Sequence, residues 1–165
     1  MPGELKYKNI TEKIIGASFE VHKFLGNGFQ ELIYQRALAY EFHKAGLEFA
    51  REIEQDIFYK ELQEPIGTRR ADFVVEGKVL VELKAIVELE DVHLAQVLNY
   101  LKAYKLEVGL LINFGSKSLT FKRLVLSNEI CEIHLSVQIS DSDNVRYCKR
   151  SWWGIKSRNQ RRGRK

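Results

Sequence analysis

Cysteine is nearly missing from this 165-residue chain: Cys131 and Cys148 are the two present, and they make neither a metal-ligand nor a redox spacing. Free thiols in a reducing cytoplasm are the expectation. No apolar run approaches a membrane span, and the N-terminus lacks the apolar core of a signal peptide, so a cytoplasmic protein without membrane association is expected. There is no internal repeat and no low-complexity block. Gly26-Asn27-Gly28 lacks the lysine and the spacing of a phosphate-binding loop, which leaves nucleotide hydrolysis without support. A serine nucleophile elbow and a zinc-binding HExxH helix are absent too.

What remains is a soluble globular composition, 45% hydrophobic and 29% charged, enough for one domain and a tail. The expected division is residues 1–126 as the domain and 127–165 as an extension. The formal net charge of +4 is unevenly spread. From Asn144 onward there are nine Lys/Arg and no Asp/Glu, so residues 1–143 carry 17 basic and 22 acidic groups, a net of −5. The basic balance belongs to the tail and gives the body no general claim to nucleic acid.

The informative stretch runs from Arg69 to Ala85: two short apolar strands around a tight turn at Glu76-Gly77-Lys78. Asp72, Glu82 and Lys84 interrupt its apolar interior. Glu82 and Lys84 share one face, because side chains alternate along a strand. With three residues in the turn, Val75 faces Val79 and Asp72 faces Glu82 on that same face. A two-residue turn would shift the register by one and send Asp72 to the other side. Two carboxylates about 4 Å apart repel by about 4 kcal/mol at an effective dielectric near 20. A magnesium or manganese ion between them relieves that repulsion, and a neighbouring lysine can orient water or offset charge on a phosphate. A solvated hairpin face with an ordinary Glu82–Lys84 pair is the competing reading on spacing alone.

Elsewhere, apolar spacing predicts a helix over about Asn9–Leu25, stopped by Gly26-Asn27-Gly28. A second is predicted over Phe29–Ala45, with Leu32, Ile33, Ala37, Leu38 and Phe42 as its core stripe. Glu31 falls in its first turn, where a carboxylate complements the helix dipole, and Tyr34 shares its face. A third helix over Glu90–Tyr104 has the apolar row Val92, Ala95, Leu98 and Leu101, with His93, Gln96 and Tyr100 on one face. Strands are predicted over Phe49–Tyr59, Val108–Phe114 and Leu119–Leu126, with an edge strand through Ile133, Leu135, Val137 and Ile139. Beyond Ser140 the composition predicts a basic, mobile tail.

Asp72 followed by Glu82-x-Lys84 resembles the signature of the PD-(D/E)XK nuclease superfamily, with Ala71 where a proline is usual. Gly28-x-x-Glu31-x-x-Tyr34 is similar to the motif of the bacterial GxxExxY proteins within it. The likeness continues through Val81–Ala85, Gln96–Lys102 and Leu110–Gly115, covering about Asn9 to Leu126. The resemblance implies an α/β, restriction-endonuclease-like core, a mixed sheet of about five strands flanked by three helices. It implies a magnesium (or manganese) ion held by Asp72, Glu82, the Leu83 carbonyl and Glu31, with Lys84 acting beside it. Gln96 and Tyr100 match the accessory glutamine–tyrosine pair, and Tyr34 and Arg70 complete the expected substrate contacts. The expected activity is metal-dependent phosphodiester hydrolysis, with DNA as the partner and a homodimer or a delivering protein as further options. A non-catalytic binding module that retains the site, or hydrolysis of another phosphate ester, are the alternatives.

Overall fold

Two near-continuous apolar segments, Val79–Lys84 and Val108–Asn113, form the centre of the protein because both faces of each find cover. The computed structural model describes residues 5–126 and 133–136. Along the chain these are α1 (Lys8–Leu25), α2 (Glu31–Lys44), β1 (Phe49–Ile57), β2 (Gly67–Val75), β3 (Val79–Lys84), α3 (Asp91–Tyr104), β4 (Val108–Asn113), β5 (Thr120–Leu126) and β6 (Ile133–Ser136). The strands form one sheet in chain order, antiparallel throughout except for the parallel pair β3–β4 that α3 connects. This is the mixed α/β, restriction-endonuclease-like arrangement expected, with β6 as a sixth, short strand at the edge. The remainder of the predicted edge strand (Val137, Ile139) and the basic tail lie outside the described residues.

Helices cover the two faces of the sheet. On one side Val79, Val81, Leu83, Leu110, Ile112 and Phe114 join Ile14, Val21, Leu38 and Phe42 of α1 and α2. On the other, Leu80, Leu111 and Leu124 pack against Val97 and Leu101 of α3. Alternation along β3 therefore sends Glu82 and Lys84 to the α3 side, with Leu80.

Two helical faces differ from expectation. The buried row of α2 is Tyr34, Gln35, Leu38, Ala39 and Phe42, while Leu32 and Ile33 remain 44% and 39% exposed. The helix begins at Glu31 rather than Phe29, and stacking of Tyr34 on Phe114 fixes its rotation. In α3 the buried pair is Val97 and Leu101, and Val92 is 63% exposed.

A candidate active site in the fork between two strands

The turn between β2 and β3 decides where the charged groups go. Glu76 and Gly77 both take positive φ (53° and 62°), and the Lys78 N–H closes the turn onto the Val75 carbonyl at 3.0 Å. Pairing then begins at Val75↔Val79 and continues through Val74↔Leu80 and Phe73↔Val81. That is the three-residue register, in which Asp72 comes opposite Glu82. Here the strands part. The Asp72 carboxylate enters the opening and its Oδ2 accepts the Leu83 N–H at 2.7 Å.

Simple alternation along β2 fails at this point. Phe73 belongs to the core under α1 and α2, but Ala71 belongs to the core under α3. The β1–β2 register shows why: Arg51↔Phe73 and Ile53↔Ala71 pair, while Glu52, which faces Asp72 in that register, has φ 52° and makes no pair. The Tyr104 hydroxyl of α3 bridges the same break, donating to the Ile53 carbonyl and accepting the Ala71 N–H. Asp72 is thus turned into the plane of the sheet, between the layers, rather than standing beside Glu82 on one face.

Gln35 of α2 holds the other oxygen: its Nε2 donates to Asp72 Oδ1 at 3.0 Å. On the α3 side, Glu82 Oε1 accepts from Lys84 Nζ and from Gln96 Nε2, each at 3.0 Å. Gln96 Nε2 also lies 3.0 Å from the Tyr100 hydroxyl, so α3 holds Glu82 in place through one amide. Glu82 Oε2 is buried without a hydrogen-bond partner. Glu31 is exposed at the first residue of α2, and its charge reaches Asp72, Glu82 and Lys84.

Electrostatics follow from this packing. Burial, then the charge of Asp72, pushes Glu82 up to about 7, with Lys84 pulling against both. Burial also raises Asp72, against the opposing pull of the Leu83 N–H, Lys84 and Gln35. Burial alone would lower the Lys84 ammonium, but the charge and hydrogen bond of Glu82 outweigh it and hold Lys84 above its ordinary value. Two buried carboxyls that resist ionisation together form a place where a proton or a cation is favoured.

The donor set suits a hard divalent ion. Among the described residues no three His, Cys, Asp or Glu side chains stand together as a metal group. Magnesium, however, is commonly bound through one or two carboxylates and water. Asp72 and Glu82 supply two carboxylates, and the unpartnered Glu82 Oε2 is an acceptor still lacking a positive partner. The Leu83 carbonyl is a further candidate by geometry. The Lys84 carbonyl accepts the Phe114 N–H on the β4 side, and successive carbonyls alternate, so that of Leu83 faces the fork.

Glu31 is placed by a set of anchors around it. Gly28, at φ 106°, takes a backbone conformation that a side chain would strain. Tyr34 is completely buried, stacked on Phe114 at 4.7 Å; its hydroxyl donates to the Gly26 carbonyl at 2.8 Å and accepts the Phe29 N–H at 3.2 Å. His22 Nε2 contacts the Ser116 carbonyl at 3.1 Å, and Asn27 Nδ2 donates to that of Gly115 at 3.3 Å. The glycine–glutamate–tyrosine spacing is thereby a mechanical unit: the tyrosine fastens the loop that starts the helix bearing the glutamate. Tyr34, expected as a substrate contact, has its ring and its hydroxyl both engaged inside the protein. Arg70 is exposed on β2 opposite Glu54, and His93 caps α3 by accepting the Glu90 N–H at 2.9 Å on Nδ1.

Three contributors went unseen in the sequence. Gln35 stands four residues after Glu31, on the same helical face, and that spacing was the available signal. Asn113 is fully buried beside Lys84 in the parallel register and clamps the segment after it: Oδ1 accepts the Ile86 and Gly115 N–H groups, and Nδ2 donates to the Ile86 carbonyl. A Cβ at Gly115 would overlap the backbone of Ala85 and Ile86, so glycine is needed for that approach. Tyr104 gave no local signal, because its role exists only where α3 crosses the β1–β2 ladder.

A family model of the PD-(D/E)XK nuclease superfamily matches residues 8–124, which includes every residue of the fork. No curated protein and no solved structure matches the chain.

Proposed function

Since the chain belongs to the PD-(D/E)XK nuclease superfamily, we propose that it is a magnesium-dependent nuclease hydrolysing phosphodiester bonds in DNA, with the β2–β3 fork as its active site. The observation that carries this reading is the convergence of Asp72, Glu82 and Lys84 there, with a buried Glu82 oxygen left unpartnered. The glycine–glutamate–tyrosine unit supports placing it among the GxxExxY proteins.

Asp72 and Glu82 would hold the cation, with the Leu83 carbonyl as a further oxygen donor. A divalent ion bound there supplies Lewis acidity toward a phosphate oxygen and the attacking water. The water oxygen bonds to phosphorus and gives up a proton, the ester P–O bond breaks, and the leaving oxygen takes up a proton in turn. Lys84, now paired with Glu82, is the ammonium that orients the water and offsets charge on the phosphate. Gln96 keeps Glu82 turned toward Lys84, and Tyr100 steadies Gln96. Glu31 lies further out, where it acts through water.

Manganese suits the same oxygen donors. The net charge of −5 over residues 1–143 leaves room for a partner or a second copy to deliver substrate. No helix among the described residues is long and apolar enough to cross a membrane. The test is a cleavage assay on linear, circular and single-stranded DNA, and on RNA, with magnesium or with EDTA. Magnesium-dependent cutting of DNA is expected. Retention of DNA without cutting under all metals would favour a binding module instead.

A further inference from the structure

Gln35 is an unusual tenant of its position. It is 5% exposed, within the buried row that also holds Tyr34, Leu38, Ala39 and Phe42. A leucine would fill such a place without polar cost. The amide instead uses its nitrogen on Asp72 Oδ1 at 3.0 Å and leaves its oxygen, Oε1, buried with no donor. The orientation is fixed by chemistry, since an ionised carboxylate only accepts and must face the NH2. An unsatisfied buried acceptor costs about 1–3 kcal/mol. Glu82 Oε2 is likewise buried without a partner. Two dry, electron-rich oxygens, one on the side chain that holds Asp72 and one on the residue opposite Asp72 in register, ask for the same thing: a positive or hydrogen-donating guest.

We infer that Gln35 is a positioning residue of the cation site: its amide nitrogen clamps Asp72 in the plane of the fork, and its amide oxygen faces the divalent ion or the ion's water. This rests on the metal-dependent reading above and adds to it a neutral oxygen that the acidic signature lacks. It also gives α2 a second hold on the site besides Glu31, because residues four apart share a helical face. Loss of a partner of this kind weakens metal affinity by about 10–100-fold. Replacement by an apolar side chain of similar size removes the unsatisfied oxygen, so the metal-free fold keeps its stability.

The experiment uses the full chain and Mn2+ alone as the probe, with binding followed by electron paramagnetic resonance and melting temperature measured in EDTA. Gln35→Leu is expected to bind Mn2+ at least about tenfold more weakly than wild type, at an EDTA melting temperature equal to or above that of wild type. Gln35→Met, which keeps the length of the side chain, serves as the second variant if leucine prevents folding. Wild type that binds Mn2+ while both variants match it within about twofold overturns this inference and leaves the nuclease reading standing. A drop in EDTA melting temperature with unchanged Mn2+ affinity assigns Gln35 to the core alone and overturns it too. Wild type that binds no Mn2+ removes both.

Discussion

The carboxylate of Asp72 accepts the Leu83 N–H at 2.7 Å, so a side chain stands where strand pairing between β2 and β3 has stopped. The fork exists because Asp72 satisfies it. Asp72→Leu leaves that buried N–H without an acceptor and is expected to destabilise the protein by about 1–3 kcal/mol. Asp72→Asn keeps an oxygen for Leu83 and is expected to fold within about 1 kcal/mol of wild type while losing divalent-metal affinity. Urea unfolding beside a metal titration separates the two.

Stability should depend on metal and on pH together. Glu82 titrates near 7 in the folded chain, above its ordinary 4.5. A raised carboxyl contributes its full stabilisation below the unfolded value, where both states are protonated, and loses it as pH rises through the folded value. Relative stability therefore falls as pH rises from about 4.5 to about 7, by up to about 1.4 kcal/mol per pH unit for one such group. Asp72, raised as well, adds in the same sense. Thermal melts in EDTA should show this decline. Glu82→Gln should flatten it, and saturating magnesium should reverse it in wild type alone.

Lys84 neutralises a carboxylate that is 5% exposed at its side chain. Lys84→Met strands Glu82, and the acid responds by holding its proton to higher pH. The expected cost at pH 8 is at most about 3–5 kcal/mol, and it shrinks as the solution is acidified and Glu82 is neutralised. Unchanged stability at pH 8 would mean that the pair is not formed in solution.

Tyr34→Phe removes the hydroxyl that joins the Gly26 carbonyl and the Phe29 N–H. A loss of about 1–2 kcal/mol is expected, with reduced turnover as the start of α2 loosens and no change in KM for DNA. A change confined to KM would place this tyrosine against substrate after all.

Much of this arrangement is visible in the residues themselves. Three residues in the turn set the parity that brings Asp72 opposite Glu82, and Glu76, Gly77 and Lys78 are easily read as such a turn. The in-plane turn of Asp72 is not readable, because it depends on a left-handed Glu52 and on Tyr104 arriving from α3. The helical faces misled for a related reason. Leu32, Ile33 and Val92 are apolar but exposed, whereas Gln35 is polar and buried because Asp72 meets it there. Periodicity records what a side chain is made of, and these positions are decided by what another element brings to them.

The most direct single measurement is the rate of DNA cleavage in magnesium by wild type, Glu82→Ala and Lys84→Ala, with circular dichroism confirming that all three are folded. Cleavage by wild type that EDTA abolishes, lowered by at least about a thousandfold in both variants, is the predicted result. Equal cleavage by all three proteins would contradict the assignment of the fork as the catalytic centre.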